Sequence, residues 1–131
     1  MEVGFVGGMP FCLQHREDTD SPISYYNKCD AAISQMVIAS NGDCRPCVEM
    51  PWSGGNILCD TVESIWESKI FKDIRLFKNV PKDCYNCKVV SRCHGGCRAA
   101  AYNQTGDIIA RSHLMPAKIP SDYLIHVENS I

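Results

Sequence analysis

Apolar positions change period along this chain. From Val62 onward Val62, Ile65, Trp66, Ile70, Ile74 and Phe77 recur at steps of three and four, the spacing that lines one face of a helix. Asp60 with Glu63 forms a capping-box pattern at the start of that run, and Ser68 is placed to cap a second short helix after a bend. Before it, Gln35–Ala39 reads as a strand, Asn41-Gly42 is a hairpin turn signal, and Cys44–Val48 returns antiparallel. The first 26 residues are loop-like, with Gly-Gly, Pro10, a charged run at Arg16-Glu17-Asp18 and Ser21-Pro22. After Pro81, Arg98–Tyr102 is the one helical stretch, ended by Gly106-Asp107, and the segment from Ile108 to Ile131 carries no clear period. The expectation is an α+β domain, small and metal-stabilised, with a β-hairpin followed by short helices and cysteine-rich loops. Its organisation is read as an extended lead-in or linker over residues 1–26 carrying Cys12, a domain over 27–116, and a tail over 117–131.

Composition sharpens this only in one respect. With 131 residues, 45% hydrophobic and 21% charged, the chain has the make-up of one ordinary globular domain. A formal net charge of −2, with basic residues scattered, argues against DNA or RNA as a partner. No apolar run approaches a membrane span and the start lacks the pattern of a signal peptide, so we expect no membrane partner and a cytoplasmic location.

Cysteine usage is what stands out. There are nine, and four of them form Cys84-x2-Cys87-x5-Cys93-x3-Cys97. Thiols two residues apart can chelate one ion or one cluster edge. A disulfide scaffold would leave one thiol over from an odd count, and C-x2-C pairs are commoner as metal or redox motifs. Upstream, Cys29-x12-Gly42-x4-Cys47 frames the hairpin, which would carry Cys47 towards Cys29. Six thiols exceed the four that one tetrahedral zinc or one cubane cluster uses, so two centres are expected. Gly95-Gly96 would let backbone N–H groups approach a cluster sulfur, or would only make the turn into the next helix.

The two cysteine groups together resemble the SPASM domain, the auxiliary-cluster module of radical S-adenosylmethionine enzymes that mature peptides, sulfatases and cofactors. Gly55-Asn56-Ile57, Ser64-Ile65-Trp66-Glu67-Ser68, Cys93-His94-Gly95-Gly96-Cys97-Arg98-Ala99 and Gly106-Asp107 add to the likeness, which covers Pro10 to Pro116. The resemblance implies two iron–sulfur clusters of the 4Fe-4S type. It gives the first centre Cys29, Cys47 and Cys97, with Cys12 as fourth ligand, and the second Cys84, Cys87 and Cys93. The family completes the second centre with a cysteine shortly after Gly-Asp, where this chain has Met115-Pro116; His113 is the best protein substitute. The radical-generating C-x3-C-x2-C motif is absent, so the resemblance implies an accessory role in electron transfer and substrate anchoring, not catalysis by this chain alone. Its partners would be a radical S-adenosylmethionine catalytic domain, in cis or in trans, and a peptide or cofactor-precursor substrate.

The alternative is a structural zinc-binding module for protein–protein interaction, since zinc uses the same thiolates and can occupy such sites in aerobically prepared protein. Other candidates rank lower. His94 has thiols on both sides and is expected to play a supporting part, while His15 and His126 read as solvated. Cys44 could substitute for a ligand in a zinc form, and Cys59 reads as a small buried hydrophobe.

Overall fold

The computed structural model describes residues 3–6, 8–13, 23–26 and 29–125, with backbone alone for 3–6 and 23–26. The chain divides into two compact units: one comprises residues 1–29 with 80–131, the other residues 30–79. His15 and His126 lie outside the described residues.

The unit formed by residues 30–79 is built around the hairpin. Strands β3 (Val37–Ile38) and β4 (Asp43–Arg45) pair antiparallel, with Ile38 opposite Cys44, and β5 (Gly55–Asn56) adds to the other side of β4. The turn forms where Asn41-Gly42 predicts it. The Gly42 N–H donates to the Ala39 carbonyl at 2.9 Å, and Gly42 takes φ 88°, a left-handed conformation that costs glycine little. A Cβ there would come 2.5 Å from Asn56 Oδ1, because the Asn56 amide seals the turn by donating to the Asn41 carbonyl (3.0 Å) and Asp43 Oδ1 (3.1 Å). The third strand was not expected, since two residues carry no readable period.

Helices α1 (Val62–Trp66) and α2 (Lys69–Arg75) follow, as the three- and four-residue spacing predicts. The cap differs by one position. Thr61 is the N-cap, its Oγ1 accepting the Ser64 N–H at 3.2 Å, while Asp60 Oδ2 instead accepts the Asn56 N–H at 2.8 Å and ties β5 to the helix start. Ser68 occupies the N-cap position of α2 without a capping hydrogen bond. Ile65, Phe71 and Ile74 point into the core with Cys44, Met50, Ala31 and Ala32. Trp66 packs against Phe71 at a centroid separation of 5.6 Å, with the Arg75 guanidinium 5.1 Å over its ring. Burial of such aromatic and aliphatic side chains, about 1.5–3 kcal/mol each, is what holds two helices this short.

In the other unit, β1 (Val3–Val6) and β2 (Ile23–Tyr26) form a parallel pair within the stretch expected to be loop-like. Val3, Phe5, Val6, Ile23, Tyr25 and Tyr26 are good strand formers, but four-residue runs interrupted by Gly4 and Ser24 show little period. Phe11–Leu13 and Lys82–Cys84 are single 3-10 turns, and α3 (Val90–Cys93) and α4 (Arg98–Thr105) are short helices. Helix α4 runs three residues beyond the expected Tyr102 and is capped by Gly106 at φ 77°. The segment near the end of the described chain pairs back: the Lys88 N–H donates to the Tyr123 carbonyl and the Ile125 N–H to the Asn86 carbonyl, both at 2.8 Å, around a Cys87–Leu124 bridge. The α+β reading, with a hairpin, short helices and cysteine-rich turns, is the observed fold. No helix among the described residues is long and apolar enough to cross a membrane.

Candidate metal centre

The array folds as a string of turns, each handing its backbone to the next. The Cys84 N–H donates to the Pro81 carbonyl (2.9 Å), the Cys87 N–H to Cys84 (3.1 Å), the Val90 N–H to Cys87 (3.2 Å), the Cys93 N–H to Val89 (2.9 Å) and the Gly96 N–H to Cys93 (3.0 Å). The backbone is therefore satisfied locally, leaving the thiols free to converge. Cys84, Cys87 and Cys93 are all buried, and Cys12, Cys29 and Cys97 are half-buried. Among the described residues Cys12, Cys44, Cys59, Cys84, Cys87, Cys93 and Cys97 are thiols outside any disulfide.

Left-handed backbone makes the fit possible. His94, Gly95 and Gly96 take φ of 55°, 71° and 81°. A Cβ on Gly95 would lie 2.5 Å from Pro81 Cδ and 3.4 Å from Cys84 Sγ. Two sulfurs already receive backbone N–H groups: Phe11 donates to Cys93 Sγ at 3.3 Å, and Ala100 to Cys97 Sγ at 3.4 Å, where Cys97 serves as N-cap of α4. Such N–H···S contacts set the electron density on a cluster ligand.

Electrostatics group the thiols further. Burial, then the charges of Cys93, Cys87 and Cys12, push the Cys84 thiol up to about 12. Burial, followed by Cys93 and more weakly Cys87, pushes Cys12 up to about 11. Cys12, assigned by the resemblance to the first centre, thus interacts with the thiols of the second. Arg98 is buried next to the array, and desolvation lowers its pKa against the opposing pull of Cys84, Cys97, Cys93 and Cys29. Its guanidinium donates to four carbonyls: Gly95, Gly96 (3.3 Å), Ile108 (3.1 Å) and Ala110 (2.8 Å). Arg98, quoted above only as part of the likeness, is a buried cation at the array to which the sequence reading gave no role. An arginine directly after the last array cysteine, opening an alanine-rich helix that has little else to bury, was the available signal.

Among the described residues no group of three or more His, Cys, Asp or Glu side chains is placed to hold a single metal ion. The donor set nonetheless suits a thiolate-bound cluster. Burial and neighbouring thiols disfavour the ionised forms of Cys84 and Cys12, a cost that a bound cation would relieve, and backbone N–H groups already stand at the sulfurs of Cys93 and Cys97.

The remaining candidates fall as follows. Cys29 closes the unit that holds the array, and Cys47 belongs to the unit of residues 30–79, half-buried. His113 is exposed, and Met115, two residues on, is buried. His94 is buried with Nε2 3.2 Å from the Ser91 carbonyl, a position that steadies α3. Cys44 is wholly buried, its Sγ 3.6 Å from the Gly42 carbonyl. Cys59 is exposed, which corrects its reading as a buried hydrophobe: it sits in the turn after β5, where Asn56 and Asp60 take up the local hydrogen bonds.

Known proteins bear on these observations. The chain is similar to the AdoMet-dependent heme synthase of Nitratidesulfovibrio vulgaris, 33% identical over 82 residues, which is 62% of this chain and 22% of that protein. It is similar to the AdoMet-dependent heme synthase of Methanosarcina barkeri at 34% over 73 residues, 55% of this chain and 21% of that protein. It therefore spans about a fifth of the length of the curated relatives it matches. Among solved structures, Streptococcus suis SuiB shares the fold with a TM-score of 0.54 and 24% identity, over 70% of this chain and 22% of that one. Residues 29–88 match the SPASM family, described as an iron–sulfur cluster-binding domain, the same family that the cysteine pattern resembles.

Proposed function

We propose that the chain is the auxiliary-cluster part of a radical S-adenosylmethionine enzyme and binds two 4Fe-4S clusters. The observation that carries this is the nest of buried thiols at Cys84, Cys87 and Cys93, set in left-handed Gly-Gly backbone beside a buried guanidinium. These three cysteines hold the second cluster. On the sequence pattern, Cys29, Cys47 and Cys97 hold the first. When bound, the clusters accept and pass on electrons. The chain's own residues fix the rest: turns from Pro81 to Gly96 position the sulfurs, N–H groups of Phe11 and Ala100 donate to Cys93 and Cys97, and Arg98 supplies a cation that burial keeps from solvent.

The role is accessory: electron transfer and anchoring of substrate for a catalytic domain, in cis or in trans. The curated relatives are named as synthases of a cofactor, which favours a cofactor precursor over a peptide as the substrate. Anoxic reconstitution with iron and sulfide tests the reading. Brown protein holding iron and sulfide in equal amounts is expected, lost on Cys84→Ser in part and on combined Cys84→Ser and Cys97→Ser in full. Colourless protein that takes up zinc and no sulfide under anoxia would overturn it.

A further inference from the structure

The second centre has three thiolates in the array, and no cysteine lies between Cys97 and Ile131, the stretch in which the family pattern places the fourth. The structure brings another thiol to it from the opposite end of the sequence. The Phe11 N–H donates to Cys93 Sγ at 3.3 Å across 82 residues of chain. The Arg92 guanidinium lies 5.4 Å over the Phe11 ring, so the residue before Cys93 clamps the residue before Cys12. Small residues permit the approach. A Cβ on Gly96 would come 2.8 Å from Pro10 Cγ and 3.2 Å from the Gly8 carbonyl, and a Cβ on Gly8 would come 2.9 Å from the Cys97 nitrogen. Residues 8–11 therefore lie directly against 92–97. The 3-10 turn closed by the Leu13 N–H on the Pro10 carbonyl, 3.1 Å, fixes the next residue, Cys12.

We propose that Cys12 is the fourth thiolate of the second centre, taking the place the family pattern gives to a cysteine where this chain has Met115. This rests on the cluster-binding reading above. The alternatives for that ligand fit less well: His113 is exposed, and the thioether of Met115 is uncharged and a weak ligand for iron. The chain would thus close the second centre from its N-terminal side, with Pro10 and Phe11 as the strap that positions the ligand.

The test uses the full chain reconstituted anoxically. Cys12→Ser is expected to lose the same cluster that Cys84→Ser loses, read as matching losses of iron and sulfide and the same missing paramagnetic signal after reduction. The double variant is expected to lose no more than either single one. Adding Met115→Cys to Cys12→Ser is expected to recover the lost cluster at the family's own position. In loaded wild-type protein, Cys12 should resist alkylation together with Cys84 and become reactive with it after the cluster is stripped, a readout that needs no variant to fold. Wild-type cluster content in Cys12→Ser, additive losses in the double variant, or ready alkylation of Cys12 in loaded protein would each overturn the assignment. Failure of the wild-type chain to hold any iron and sulfide would instead overturn the cluster-binding reading itself.

Discussion

Replacing Arg98 by methionine removes one side chain from the junction of several loops, and the cost follows from its partners. Arg98 donates to the carbonyls of Gly95 and Gly96, which are buried, and of Ile108 and Ala110, which are half-buried. In Arg98→Met the latter pair can turn to water, while each buried carbonyl left without a donor costs about 1–3 kcal/mol. Relief from burying a guanidinium offsets part of this, leaving a net loss of about 3 kcal/mol. For 131 residues, an unfolding entropy of about 2.1 cal/mol/K per residue gives about 0.28 kcal/mol/K, and the loss becomes a fall in Tm of about 11 °C. Arg98→Lys keeps the charge but not the planar fork, so it cannot span the Gly95–Gly96 pair and the 108–110 loop together; a fall of about half that size is expected. Circular dichroism melts of the cluster-loaded proteins read both values. A methionine variant melting within about 3 °C of wild type would show that the four contacts contribute little, and that Arg98 is not what holds the array to the following loop.

Three further outcomes are expected. In metal-free protein, the raised thiols of Cys84 and Cys12, about 12 and about 11 against an ordinary 9.0, favour the folded state while neutral. Their stabilisation is complete below pH 9 and is lost as pH climbs through 11 to 12, so urea midpoints should fall across that window and stay level below it; a flat midpoint to pH 11 would contradict the burial that raises them. Gly95→Ala should lower stability by about 1–3 kcal/mol, because its φ of 71° disfavours a side chain and the new methyl meets Pro81 Cδ at 2.5 Å; an unchanged chemical-denaturation midpoint would refute it. Cys59→Ser, at an exposed turn, should leave iron, sulfide and Tm unchanged, whereas loss of iron would make Cys59 a ligand.

What the residues disclosed, and what they withheld, divides along physical lines. The hairpin was legible because Asn41-Gly42 is a turn chemistry and Val37–Ile38 a local pattern. The helices were legible because six apolar residues keep a helical period. The cap moved from Asp60 to Thr61 because the Asp60 carboxylate accepts the Asn56 N–H of β5 instead, a turn contact that the capping-box pattern does not encode. The parallel strands at Val3–Val6 and Ile23–Tyr26 escaped notice because pairing across a long connection leaves no local signal. At the centre, the array cysteines announced themselves by spacing. Cys12 was visible as a thiol, but its neighbours were not: its approach to Cys93 depends on the missing side chains of Gly8 and Gly96, a fact of three-dimensional packing. Arg98 was hidden for a related reason, since its partners are carbonyls, which every residue has.

The short pairing of residues 123–125 with 86–88 bears on the order in which this protein matures. Asn86 and Lys88, on either side of Cys87, have their backbone groups matched by Ile125 and Tyr123, and the Lys88 ammonium donates to the Asp122 carbonyl at 3.3 Å. Until that stretch has been synthesised, the Cys84–Cys87 loop lacks the partner that holds it in place. During translation the loop therefore waits on residues made nearly forty positions later. Iron and sulfide delivered before residues 122–125 are made would meet the Cys84–Cys87 loop without its backbone support. A shortened version ending at Pro116 would keep every cysteine and still be a poor acceptor, because the missing piece contributes timing and posture instead of a ligand.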